Sequence, residues 1–263
     1  MSAVSDVVVS AVVAGAVSLI VTFGKIAWDS RQKKQERQLA AREKLDRYRE
    51  PLLTAADGLG SRVNNIRHDS FLSYLEVPER QRTALLGTLF RFAQLFGWTE
   101  ILYGSFDRLR FERDASTKAV ADALRDIGRL LAVDRVDRTD PADATTTRLM
   151  IWREEQRAIG ELMRVDSDPP RCLSFDSFAR QYDERFSPWF ATFAAQLDPA
   201  STPSSERLAE LQRLLAGLVR ELDVDLIVLR ADGGGELVEP RWARPSMVAA
   251  TVRASPVDGG PVP

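Results

Sequence analysis

The sequence predicts an all-α protein, a bundle of about six or seven helices behind a single apolar N-terminal segment. Three observations carry this. Apolar residues recur three and four positions apart in one stretch after another. No stretch of useful length alternates apolar and polar residues as a half-buried strand does. Polar stretches containing Pro separate the periodic segments. The 263 residues are 44% hydrophobic and 28% charged, which excludes a wholly disordered chain. Without the N-terminal segment and a polar tail, roughly 200 residues remain, enough for one sizeable core or two small ones.

Residues 7–24 (VVVSAVVAGAVSLIVTFG) carry no charge and lie between Asp6 and Lys25. With Ile26, Ala27 and Trp28 the run reaches about the 20 residues that a helix needs to cross a bilayer. A transmembrane anchor over residues 1–28 is expected. A cleavable signal peptide fits less well, because residues 1–6 lack Lys and Arg. Lys25, Arg31, Lys33, Lys34 and Arg37 follow the run, so the positive-inside rule puts the N-terminus outside and the rest in the cytoplasm. Lys25, Trp28, Arg31, Lys33 and Lys34 form the expected membrane interface, and the lipid bilayer is the first expected partner. Ser10, Ala14, Ser18 and Thr22, beside Ala11 and Gly15, give a small-residue face through which the anchor could form a homo-oligomer.

Residues 29–50 are rich in Gln, Arg, Lys and Glu and predict a solvated helical stalk. Its apolar positions (Leu39, Ala40, Leu45, Tyr48) are too sparse for a committed coiled coil, though a weak pairing of stalks is allowed. Pro51 permits a break, and a cytoplasmic α-helical domain is expected over 51–230. Leu52, Leu53, Ala56, Leu59, Val63 and Ile66 mark its first helix, and 68–75 a short docked segment. Pro78 opens residues 79–106, the most apolar part of the body and its expected central helix. Arg91 at its middle argues against a second membrane span.

Residues 116–133 predict an amphipathic helix through Val120, Leu124, Ile127, Leu130 and Leu131, and 134–147 a polar loop. Residues 148–164 predict a helix with Leu149, Trp152, Ile159, Leu162 and Met163 inward. Pro169 and Pro170 break the chain. Residues 174–197 form an aromatic helical region that Pro188 should kink. After a hinge at 198–205, Leu208, Leu211, Leu214, Leu215 and Leu218 give a final helix. Residues 231–263 are expected to be a disordered tail.

Four strings, YREPLL (48–53), SRVNNI (61–66), FGWTEIL (96–102) and EQRAIGELM (155–163), resemble a family of uncharacterised high-GC bacterial proteins. Many of these have an N-terminal hydrophobic segment ahead of a helical cytoplasmic domain. The resemblance spans roughly residues 48–163 and implies the same fold, with no activity attached.

The formal net charge is −2, and beyond the basic stretch at 25–50 the chain is mildly acidic, so nucleic acid is not an expected partner. A single Cys172 and a single His68 allow no intrachain disulfide and no Cys/His metal cluster. No cofactor and no catalytic residue is assigned. Arg91, Glu100, Glu155, Gln156 and Arg157 form a candidate polar network, since a carboxylate and a guanidinium inside a bundle need each other. Arg91–Glu155 and Glu100–Arg157 are the pairings it suggests, with Asn64, Asn65, His68 and Glu154 nearby. The favoured reading is an interaction or scaffold module that meets a cytoplasmic protein partner. A membrane-bound enzyme with an acid-lined pocket and a membrane-perturbing effector are the alternatives.

Overall fold

The computed structural model describes residues 45–105, 117–134, 148–224 and 239–243, with isolated positions between 28 and 43. The described part is mostly helical and all-α, as predicted. The anchor at 7–24 lies outside the described residues, as do Lys25, Arg31 and Lys34. Among the described residues no helix is long and apolar enough to cross a membrane.

Helix α1 runs without interruption over 45–68, straight through Pro51. Leu45, Tyr48, Leu52, Ala55, Leu59, Val63 and Ile66 recur every three or four residues and are all buried. The seam therefore starts before Pro51, and the stalk boundary expected at residue 50 moves upstream. Proline costs an internal helical hydrogen bond, but packing on both sides holds the helix. Tyr48 accepts a hydrogen bond from Ser105 Oγ at 3.1 Å. Arg49 donates to the carbonyls of Glu221 and Leu222 at 3.4 and 3.5 Å, where another helix ends with its carbonyls unsatisfied.

A short 3₁₀ turn, Phe71–Glu76, returns the chain into α2, Pro78–Ser105. This 28-residue helix is the centre of the bundle and buries residues on most sides, including Leu89, Phe92, Ala93 and Leu102. It packs along α4, Arg153–Met163. Two glycines set that approach: a Cβ at Gly97 would meet Met163 Cβ and Cys172 Sγ at 2.7 Å. A Cβ at Gly160 would meet the Phe96 carbonyl oxygen at 2.8 Å.

Helix α3, Lys118–Ala132, has the predicted amphipathic face and lies against α7, Glu206–Leu222. The predicted start of α4 is corrected by five residues. Leu149 has a positive φ of 61° and is buried, with its N–H on Gln196 Oε1 at 2.5 Å. The Ile151 N–H goes to the Leu131 carbonyl at 2.9 Å. Helix begins only at Arg153, and Trp152, expected inward, is 62% exposed.

A two-residue antiparallel ladder, Arg164–Val165 against Arg171–Cys172, closes the turn after α4. Then come α5 (Phe175–Gln181), a π turn (Tyr182–Phe186) and α6 (Ser187–Ala195). Pro188 sits in the first turn of α6, where its missing N–H costs little, so the irregularity falls before it. Phe178 packs against Phe90, Tyr182 and Phe186, and Phe92 meets Phe193 edge-on at 4.9 Å. All seven helices among the described residues feed one apolar core.

The tail expected from 231 onward is also corrected in part. Trp242, in a 3₁₀ turn at Arg241–Ala243, is 8% exposed and belongs to the core. Its indole N–H donates to Asp57 at 2.6 Å, and its ring fills space that a side chain at Gly60 would occupy. Its carbonyl accepts from Gln212 on α7 at 3.1 Å.

Candidate functional site

The two strings FGWTEIL and EQRAIGELM lie on α2 and α4 and face each other across the glycine contact. Together with α3, the two helices line an open cleft of about 490 Å³. Leu95, Phe96, Leu124 and Ile127 make its apolar floor. Thr99, Glu100 and Tyr103 line it from α2, Arg125 from α3, and Arg153, Glu154, Gln156 and Arg157 from α4. Three guanidinium groups thus stand around two carboxylates.

The polar walls are held locally. Gln156 is buried and donates to the Gly128 and Ile151 carbonyls at 2.9 and 2.7 Å, tying α4 to α3. Arg153 donates to the Arg125 carbonyl at 2.9 Å. A Cβ at Gly128 would overlap Arg153 and lie 2.8 Å from Gln156 Oε1, so glycine there makes room for both side chains. Arg125 pairs with Asp122 one turn back on α3. Arg157 pairs with Glu161 at 2.9 Å, in the open. A Cβ at Gly160, under the wall, would also stand 2.6 Å from Glu100 Cγ.

Of the candidate network, Glu100, Gln156 and Arg157 therefore share the cleft, while Arg91 and Glu155 do not join them. Arg91 points to the α1 side of α2, where it donates to Gln94 at 3.2 Å. Glu155 accepts the Trp152 N–H at 2.7 Å and caps its own helix. The pairing Arg91–Glu155 is accordingly absent among the described residues, and Arg157 has Glu161 in place of Glu100. Asn64 accepts from Gln212 at 3.2 Å, and His68 is exposed at the end of α1. Trp28 is helical and 70% exposed. No protein family, curated protein or solved structure matches the chain.

Sequence reasoning missed Arg125, Arg153, Thr99 and Tyr103 as cleft residues. The available signal was the four-residue spacing of Arg153 and Arg157, which places both on one face of a helix. Chemically the cleft suits recognition. Its described lining has hydroxyl, amide, carboxylate and guanidinium groups but neither His nor Cys. Cys172 lies instead on the far side of the α2–α4 contact, where burial pushes its thiol up to about 12. Among the described residues no group of His, Cys, Asp and Glu is placed to hold a metal ion.

Proposed function

We propose that this protein is a membrane-anchored interaction module, whose helical body takes an acidic segment of a cytoplasmic protein partner into the cleft between α2, α3 and α4. The observation that carries the reading is the cleft itself: an open apolar floor of Leu95, Phe96, Leu124 and Ile127 beneath Arg125, Arg153 and Arg157. Apolar floors supply affinity, and a guanidinium rim supplies orientation and selectivity for carboxylates. A photo-crosslinking residue at Thr99 should capture one protein partner, and Arg125→Glu with Arg157→Glu should abolish the capture. Equal capture from a crosslinker at Arg220, on the exposed side of α7, would defeat the reading. The specific observation behind an enzymatic alternative is that Glu100 and Glu154 line one cleft. A small-molecule adduct at Thr99, with no protein adduct, would favour it.

The anchor is part of the same proposal, supported by the uncharged run at 7–24 and the cations after it. A reporter active only in the cytoplasm, fused after Leu222, should work. Activity of a periplasm-only reporter at that point would reverse the orientation.

A further inference from the structure

The interface of α1 and α2 holds two arginines, Arg62 and Arg91, whose charges act on each other and which form no ion pair among the described residues. Each lies four residues after a glycine on its own helix, Gly58 and Arg62 on α1, Gly87 and Arg91 on α2. Each reaches over the other helix's glycine. A Cβ at Gly58 would sit 3.0 Å from Arg91 Nη1, and one at Gly87 would sit 3.7 Å from Arg62 Nη2. Together with the Tyr48–Ser105 hydrogen bond, these contacts make the two helices antiparallel.

The Arg62 guanidinium stacks over the Phe71 ring, its carbon 3.7 Å from the ring centroid. Its Nη1 is buried and has no hydrogen-bond partner. Burial first, and the Arg91 charge second, hold Arg62 well below the ordinary arginine value, at about 10. Arg91 has a hydrogen bond to the neutral amide of Gln94. Among the described residues neither arginine makes an ion pair, and the nearby Asp57 accepts the indole N–H of Trp242. Two half-buried cations side by side disfavour the folded state unless something negative joins them.

We propose that the Arg62–Arg91 clamp is a binding site for a phosphate-class oxyanion. A carboxylate brings one negative charge, whereas a phosphate monoester brings nearly two and offers oxygens to guanidiniums arriving from two sides. Phe71 fixes one fork, and the unmet Arg62 Nη1 leaves that guanidinium short of an acceptor. The phosphate could arrive as a free anion or as a lipid headgroup, and the same chemistry serves both.

The test is thermal unfolding of the full-length protein in a neutral detergent at matched ionic strength. Phosphate, pyrophosphate and dihexanoyl phosphatidic acid are compared with chloride, acetate and dihexanoyl phosphatidylcholine. At least one phosphate probe should raise the midpoint by about 3 °C, with no rise from the controls. A rise with inorganic anions identifies a free phosphate, and a rise with phosphatidic acid alone identifies a headgroup. Arg62→Gln and Arg91→Gln should each abolish the rise. Arg91→Lys, which keeps charge but loses the fork, should weaken binding about fivefold or more. Gly58→Ala, which crowds Arg91 and leaves every charge in place, should weaken it too, so the test survives if a Gln variant fails to fold. No rise with any phosphate probe, an equal rise with acetate, or a rise unchanged in all four variants would overturn the proposal.

Discussion

A guanidinium inside a helical bundle must meet carbonyls, amides or acids, and Arg207 and Arg91 illustrate different solutions. Arg207 is 2% exposed and donates to the carbonyls of Leu130, Val133 and Arg148, closing the C-terminal end of α3. Burial lowers it to about 10, yet carbonyl acceptors keep it satisfied. Arg91 has only Gln94 and the neighbouring Arg62 charge. Arg91→Met is therefore expected to leave stability within about 0.5 kcal/mol of the parent or to raise it, measured by urea unfolding in phosphate-free buffer. Glu155→Ala should cost about 1 kcal/mol through the lost helix cap. In a double-mutant cycle the pair should show coupling below about 0.5 kcal/mol, and coupling above 1 kcal/mol would restore the ion pair that the sequence suggests. The sequence shows that Arg91 sits within an apolar helix. It does not show the azimuth of that helix, and a rotation of one residue moves Arg91 from α4 to α1. Glu155 is legible in hindsight, since an acid three residues after a helix start is a capping pattern that needs the start placed correctly.

Close approach of α2 and α4 rests on single hydrogen atoms. Glycine inside a helix ordinarily costs about 1 kcal/mol relative to alanine. Gly217 on α7 follows that rule, because the nearest atom a Cβ would find is Arg220 Nη2 at 4.0 Å. Gly217→Ala should stabilise by about 0.5–1 kcal/mol. Gly160 breaks the rule, because a Cβ there would stand 2.8 Å from the Phe96 carbonyl oxygen, which is backbone and cannot swing away. Gly160→Ala should cost about 1–3 kcal/mol and narrow or distort the cleft that α2 and α4 wall. Denaturant midpoints of the two variants moving in the same direction would refute this contrast. The helices themselves were readable locally, α3 and α7 from their period and α2 from its near-continuous apolar character, and all three lie close to their predicted spans. The start of α4 was not, since Leu149 stands three residues before Trp152 and so imitates helical spacing, although it is buried from a turn with positive φ and Trp152 is exposed. The cleft was not readable either, because its lining comes from three helices far apart in sequence, which no local pattern brings together.

One core joins α1 to α7 and takes in Trp242, which places the edges of the folded body outside the 51–222 region that the clear periodic helices mark out. Leu45 and Tyr48 precede Pro51 and are 1% and 6% exposed. Trp242 lies beyond a Gly- and Pro-rich stretch whose composition reads as tail, and the space that receives its ring exists because residue 60 is Gly. A lone aromatic in a polar stretch gives no period to detect, so its docking is invisible until α1 and α7 are side by side. The consequence can be measured by comparing the fragments 44–243 and 51–222. The shorter one loses two turns of the α1 seam, the Arg49 contacts to the end of α7, and the indole with its Asp57 hydrogen bond. Large-to-small changes at buried positions cost about 2–5 kcal/mol each, so the combined loss is a large share of the stability of an ordinary domain. Fragment 44–243 should unfold in one cooperative transition, while 51–222 should melt at least about 10 °C lower or aggregate. Trp242→Ala in the longer fragment separates the two ends: it should cost about 3 kcal/mol alone, leaving the remainder to Leu45, Tyr48 and Arg49. If 51–222 melts with 44–243, Trp242 and the first turns of α1 rest on the body without stabilising it.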